Sequence, residues 1–92
     1  MNSWEGNFEV LALGRTLKAS GQIYHAAPSG WSCRLTVQTL LNDSDRHGIF
    51  EKRVTVCLTR PGGPMLDGIV KSVSPDGDRT VIGVVGQGEP DF

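Results

Sequence analysis

Two cysteines and two histidines have the side chains in this chain most suited to metal binding or nucleophilic chemistry. Structural zinc sites use ligands only a few residues apart, and Cys33, Cys57, His25 and His47 form no such close pair. A catalytic Cys–His pair also needs a third group to orient the base, and the sequence indicates none. We therefore expect no metal, no cofactor and no catalytic residue, so an enzyme is the less favoured interpretation.

Segment 33–58, which contains both cysteines, is predicted to form one long β-hairpin. Apolar and polar residues alternate in both arms, which is typical of strands with one face in water. Residues 42–48 are rich in Asn, Asp, Ser and Gly and predict the loop between the arms. The predicted inward positions are Cys33, Leu35, Val37, Thr39 and Leu41 in the first arm, and Phe50, Val54, Val56 and Leu58 in the second.

The predicted register of this hairpin decides what surrounds each thiol. With Leu41 opposite Phe50, Cys33 points inward and Cys57 points outward, beside Arg34. The two side chains then diverge, so we expect no disulfide between them. Because a neighbouring cation favours the thiolate, Cys57 is the candidate for a reactive thiol.

A second hairpin is predicted near the N-terminus from segments 8–13 and 16–25. Gly14, as the first residue of a two-residue connection, suits a type II′ turn. The resulting register places Phe8 opposite Gly21, where the ring would cover bare backbone.

A third hairpin is predicted from segments 65–74 and 79–85, joined by a Pro-Asp-Gly-Asp turn. Its register stays open, because connections of three and of four residues both fit the pattern. The alternatives place Val70 opposite Ile82, or Ile69 opposite Val84.

Six strands, with no segment of convincing helical periodicity, predict an all-β fold. The most economical arrangement is a six-stranded antiparallel meander, closed or nearly closed into a small barrel, and a two-sheet β-sandwich is the alternative. The 92 residues suit a single domain, in which residues 1–7 and 87–92 are expected to be loose termini.

Charge and composition argue against several classes of function. The net charge of −1 provides no basic footprint for duplex DNA or an anionic membrane. The chain lacks the basic start and apolar run of a secretory signal, and no stretch is long enough to span a bilayer. Together with the two cysteines, this leads us to expect a cytoplasmic protein with reduced thiols.

The outer face of the predicted 33–58 hairpin is the candidate binding surface. Arg34, Gln38 and Arg53 point outward there, and Tyr24 and Trp31 are expected nearby. Small barrels bind single-stranded nucleic acid through basic grooves and stacking aromatic rings, so this function is one alternative. A pocket lined by the same residues would instead accept a small ligand.

Association with protein is the favoured function. Long strands leave edges that need cover, and a homo-oligomer or a complex with another protein would provide it. Apolar residues at nominally outward positions point the same way, because such patches mark interaction sites. These residues are Trp4, Leu11, Leu13 and Leu40. The sequence thus predicts a non-catalytic binding or assembly module.

Overall fold

The computed structural model describes residues 3–26 and 30–88, which form six strands and one short helix. The strands are β1 (Ser3–Ala12), β2 (Arg15–His25), β3 (Trp31–Val37), β4 (Arg53–Leu58), β5 (Met65–Asp76) and β6 (Arg79–Gly86), and the helix is α1 (Asp43–Ile49). Neighbouring strands are antiparallel and close into a barrel in the order β1-β2-β3-β6-β5-β4. The predicted small all-β barrel is therefore confirmed, and the strands do not form the alternative two-sheet sandwich.

The termini differ from expectation in one respect. Residues 3–7, predicted to be loose, belong to β1. At the other end, β6 stops at Gly86, and Gln87 and Gly88 lie outside any strand. Predictions for residues 1–2, 27–29 and 89–92 fall outside the described residues.

One cluster of buried side chains fills the barrel, because alternate residues of each strand point inward. The inward positions confirmed on the third and fourth strands are Cys33, Leu35 and Val37 of β3 and Val54, Val56 and Leu58 of β4. Trp31 is 2% exposed and lies against two glycines. A Cβ atom at Gly68 would approach the indole to 2.7 Å, and one at Gly86 to 2.3 Å. Glycine at these two positions therefore makes room for the ring.

The long hairpin predicted for segment 33–58 is wrong, because β3 and β4 are not partners. β3 pairs with β2 and β6, whereas β4 pairs with β1 and β5. Segment 38–52 instead crosses one end of the barrel, where Leu41 and Ile49 are each 1% exposed. Phe50, predicted to face Leu41 in the core, is 44% exposed. The chain thus forms two three-stranded meanders, β1-β2-β3 and β4-β5-β6, joined by this crossover.

Thr80 at the start of β6 fastens the crossover to the barrel. Its Oγ1 accepts a hydrogen bond from the N–H of Leu41 at 2.9 Å and donates one to the carbonyl of Thr39 at 3.0 Å. Thr80 is fully buried. A hydroxyl that donates and accepts in this way is satisfied without water.

Helix α1 contradicts the expectation of an all-strand chain. Asn42 is its N-cap, and the Asn42 Oδ1 accepts a hydrogen bond from the N–H of Asp45 at 2.8 Å. Acidic residues occupy the first turn, and Arg46 and His47 the last, which suits the helix dipole. Segment 42–48, predicted as a loop, therefore contains the start of a helix, because Asn caps helices as readily as it forms turns.

The β1–β2 turn consists of Leu13 and Gly14, one residue earlier than predicted. Their φ angles are 56° and 69°, as a type I′ turn requires. The register moves by two residues, so Phe8 faces Ala19 and not Gly21. A shift of two leaves each side chain on its predicted face, and Phe8 is buried.

The β5–β6 register matches neither alternative. Val70 faces Val84 and Ile69 faces Val85, with an irregularity between Val70 and Ser72. The extra residue in β5 changes the pairing along the strand, as a β-bulge does.

Candidate association surface

A closed barrel distributes its outward side chains around the whole circumference. In the observed order, strands three positions apart lie on opposite sides, so β3 is opposite β4, β1 opposite β6 and β2 opposite β5. Arg34 of β3 and Arg53 of β4 therefore point away from each other. The single surface predicted for the two arginines does not form, because it depended on pairing β3 with β4.

The remaining predicted binding residues are also separated. Trp31 is buried, so it is not available to stack on a ligand at the surface. Tyr24 is 37% exposed, and its hydroxyl lies 3.4 Å from the Oγ of Ser32. Arg34 is the diagonal neighbour of Tyr24 across β2 and β3. Gln38 lines a separate groove of about 410 Å³ on the β1–β2 side. Of the five residues, only Tyr24 and Arg34 occupy neighbouring positions on adjacent strands.

The two thiols are placed on opposite faces, as expected, and neither is in a disulfide. Cys57 lies between Glu9 of β1 and Met65 of β5, and not beside Arg34. Burial, and to a smaller extent the Glu9 carboxylate, raise the pKa of Cys57 above its ordinary value. Burial raises the pKa of Cys33 to about 12. Arg34 is therefore not the neighbour that was predicted to favour the Cys57 thiolate, and a raised pKa lowers the thiolate fraction at neutral pH.

The outer face of β4, β5 and β6 contains a groove of about 380 Å³. At its centre Ile69 of β5 faces Val85 of β6 on one side and Arg53 of β4 on the other. Val85 is 37% exposed and Ile69 is half-buried. Asp67 and Lys71, two residues before and two after Ile69, line the same groove. Along β5 a negative charge, an aliphatic centre and a positive charge therefore follow one another. We call the surface formed by Arg53, Asp67, Ile69, Lys71 and Val85 the β5 face.

The charges of the β5 face are only partly satisfied. Asp67 accepts a hydrogen bond from the Thr55 hydroxyl at 2.8 Å. Within residues 3–26 and 30–88, no carboxylate lies within ion-pair distance of Lys71 or Arg53. Asp67 and Lys71 lie four residues apart on one strand, on either side of Ile69, and do not form an ion pair with each other.

A second groove, of about 460 Å³, lies on the other side of Arg53 and is lined by Leu11, Leu13 and Arg15. Leu11 and Leu13 are each 39% exposed. Here the arginine at the start of β2 is already paired, because Arg15 Nη2 lies 3.2 Å from Asp45 Oδ2. This groove has apolar residues but lacks the alternating charges of the β5 face.

Four residues of the β5 face were absent from the predicted site: Asp67, Ile69, Lys71 and Val85. A signal existed in the sequence, since Asp67, Ile69 and Lys71 occupy alternate positions of a predicted strand and should share one side. The sequence did not show that Val85 lies beside Ile69, because it left the register of β5 and β6 open.

Comparisons with protein-family profiles, with curated proteins and with solved structures each found no significant match. Among the described residues, no group of three or more His, Cys, Asp or Glu side chains is arranged to hold a metal ion. The same part of the chain contains no helix with the length and apolar character needed to cross a membrane.

Proposed function

We propose that this chain is a non-catalytic binding module that associates through the outside of its barrel, in the first place with a second copy of itself. The observation that carries the proposal is the β5 face, where Ile69 and Val85 lie side by side, partly exposed, between charges without full partners. Apolar surface bordered by polar groups is typical of protein interaction sites.

Closure of the barrel favours contacts between faces over contacts between edges. Backbone groups in paired strands are already hydrogen-bonded, so a partner gains little by adding a strand along them. Side chains on the outer face are then the groups that recognise a partner. The free thiols support a reducing compartment, and we propose the cytoplasm as the location.

Sedimentation velocity over about 1 µM to about 1 mM protein tests this function. We expect the wild-type sedimentation coefficient to rise with concentration, and Val85→Arg to remove that rise by placing a charge in the aliphatic centre. Leu11→Arg is the matched control, because Leu11 has similar exposure (39% against 37%) on β1, opposite β6. A wild-type protein that stays monomeric throughout, or equal loss in both variants, would contradict the proposal.

Single-stranded nucleic acid is the second candidate partner, favoured by the exposed Tyr24 beside Arg34. An aromatic residue and an arginine on adjacent strands of one face are a minimal unit for stacking a base and contacting a phosphate. Titration with short oligonucleotides at low salt should then change the tyrosine fluorescence, and Arg34→Ala should weaken the binding. No salt-sensitive binding to the wild-type protein would remove this candidate.

A further inference from the structure

The sequence of charges along β5 is complementary to itself when reversed. Asp67, Ile69 and Lys71 project from one face of the strand in the order negative, aliphatic, positive. If a second copy is turned end to end and laid on this face, its order becomes positive, aliphatic, negative. Each charge then meets its opposite, and the two isoleucines meet at the centre.

We infer that two copies of this chain pack through their β5 faces around a two-fold axis that passes through Ile69. This inference rests on the proposed function and specifies the interface. The axis lies in the interface at right angles to β5, so Asp67 of one copy faces Lys71 of the other, and the same pair recurs by symmetry. Contacts of this reciprocal kind are typical of homodimers.

The packing would supply what the β5 face lacks within one chain. Lys71 has no carboxylate within ion-pair distance among the described residues. Asp67 accepts one hydrogen bond from Thr55 and keeps further acceptor capacity for a second donor. The aliphatic centre is extended on β6 by Val85, which faces its own copy across the axis. The dimer thus buries apolar surface and completes two ion pairs together.

Arg53 lies on β4, one strand to the side of Ile69, as Val85 does on β6. The two-fold axis brings Arg53 towards its own copy, and like charges repel. Arg53→Gln should therefore leave the dissociation constant unchanged or lower it, and a loss of association in this variant would contradict the arrangement.

Charge exchange provides the decisive test, measured as the dissociation constant by sedimentation. Asp67→Lys and Lys71→Asp should each weaken self-association by roughly tenfold to a hundredfold, since two attractions become two repulsions. An equimolar mixture of the two variants should associate again, because one copy then carries only positive and the other only negative charges at these positions. The double variant Asp67→Lys/Lys71→Asp should also recover association.

Controls separate the interface from folding and from general charge effects. Lys18→Asp makes the same substitution on β2, opposite β5, and should leave association unchanged. Thermal unfolding of each variant checks that loss of the Thr55–Asp67 hydrogen bond has not unfolded the barrel.

The outcomes distinguish this inference from the proposed function. If the wild-type protein associates but the single variants associate equally well, or the mixture fails to recover, the β5 packing is wrong while association through another face stands. If the wild-type protein is monomeric at every concentration, both the packing and the proposed self-association are wrong.

Discussion

The two ends of the barrel are closed by different means. At one end, side chains of the strands close the barrel. Trp31 packs against Gly68 and Gly86, and Trp4 packs edge-on against Phe8, with ring centroids 5.1 Å apart. At the other end, Leu41 and Ile49 come from the crossover, a segment that belongs to no strand. Large aromatic rings close the first end, and a hydrogen-bonded connection closes the second.

This difference shows how a small barrel completes its core. At the aromatic end, residues of the strands fill the core by themselves, because Gly68 and Gly86 leave room for the indole of Trp31. Where strands end in smaller residues, the connection must contribute apolar side chains and must be held in place, as Thr80 holds segment 39–41. The interior of the described barrel is filled and both of its ends are covered. The outer face, which has partly exposed apolar residues next to unpaired charges, is therefore the candidate surface for association.

The largest effect is expected at the aromatic end. Trp31→Ala should lower the free energy of unfolding by about 3–5 kcal/mol, because a buried indole leaves a cavity that the two glycines do not fill. Trp4→Ala should cost about half as much or less, since Trp4 is only half-buried. Chemical denaturation measures both. If Trp31→Ala fails to fold, Trp31→Phe takes its place, and equal losses at both tryptophans would refute the assignment of Trp31 as the closing residue.

A smaller effect is expected at the crossover end. Thr80→Val keeps the shape of the side chain but removes both hydrogen bonds, leaving the Leu41 N–H buried without its acceptor. The expected loss is about 1–3 kcal/mol in the free energy of unfolding. Thr16→Val, at an exposed position of β2, is the control and should change stability by less than about 0.5 kcal/mol. If the two valine variants are equally stable, Thr80 does not fasten the crossover.

The smallest effect is expected at the helix within the crossover. Asn42→Ala removes the acceptor for the Asp45 N–H and should cost about 1 kcal/mol. Ser44→Ala, exposed within the same helix, should cost nothing measurable. Amide exchange across residues 43–49 localises the loss, and unchanged exchange in Asn42→Ala would argue against the cap.

The sequence predicted strands and faces well and strand partners poorly, for a physical reason. Alternation at Cys33, Leu35 and Val37 reveals which side of a strand is buried, because inward residues must be apolar. Alternation contains no information on which two strands pair, because the pairing depends on the path of the connections between strands. The β1–β2 register missed by two residues because the turn places Leu13, which is not a glycine, at positive φ.

The predicted site was lost for the same reason. Arg34 and Arg53 both point outward, as predicted, but outward directions on a closed barrel diverge, so a wrong strand order separates residues by the width of the molecule. The β5 face, by contrast, lies largely within one strand, and the alternate positions of Asp67, Ile69 and Lys71 in the sequence predict that they share one side. Only the position of Val85 beside Ile69 required the structure.

Amide chemical shifts followed during dilution locate the association surface most directly. Spectra of the ¹⁵N-labelled wild-type protein, recorded across the concentration range in which it associates, should show shifts concentrated at residues 67–71 and around Val85. Residues on the opposite side, such as Leu11 and Lys18, should stay unchanged. Shifts confined to β1 and β2, or none at any concentration, would contradict association through the β5 face.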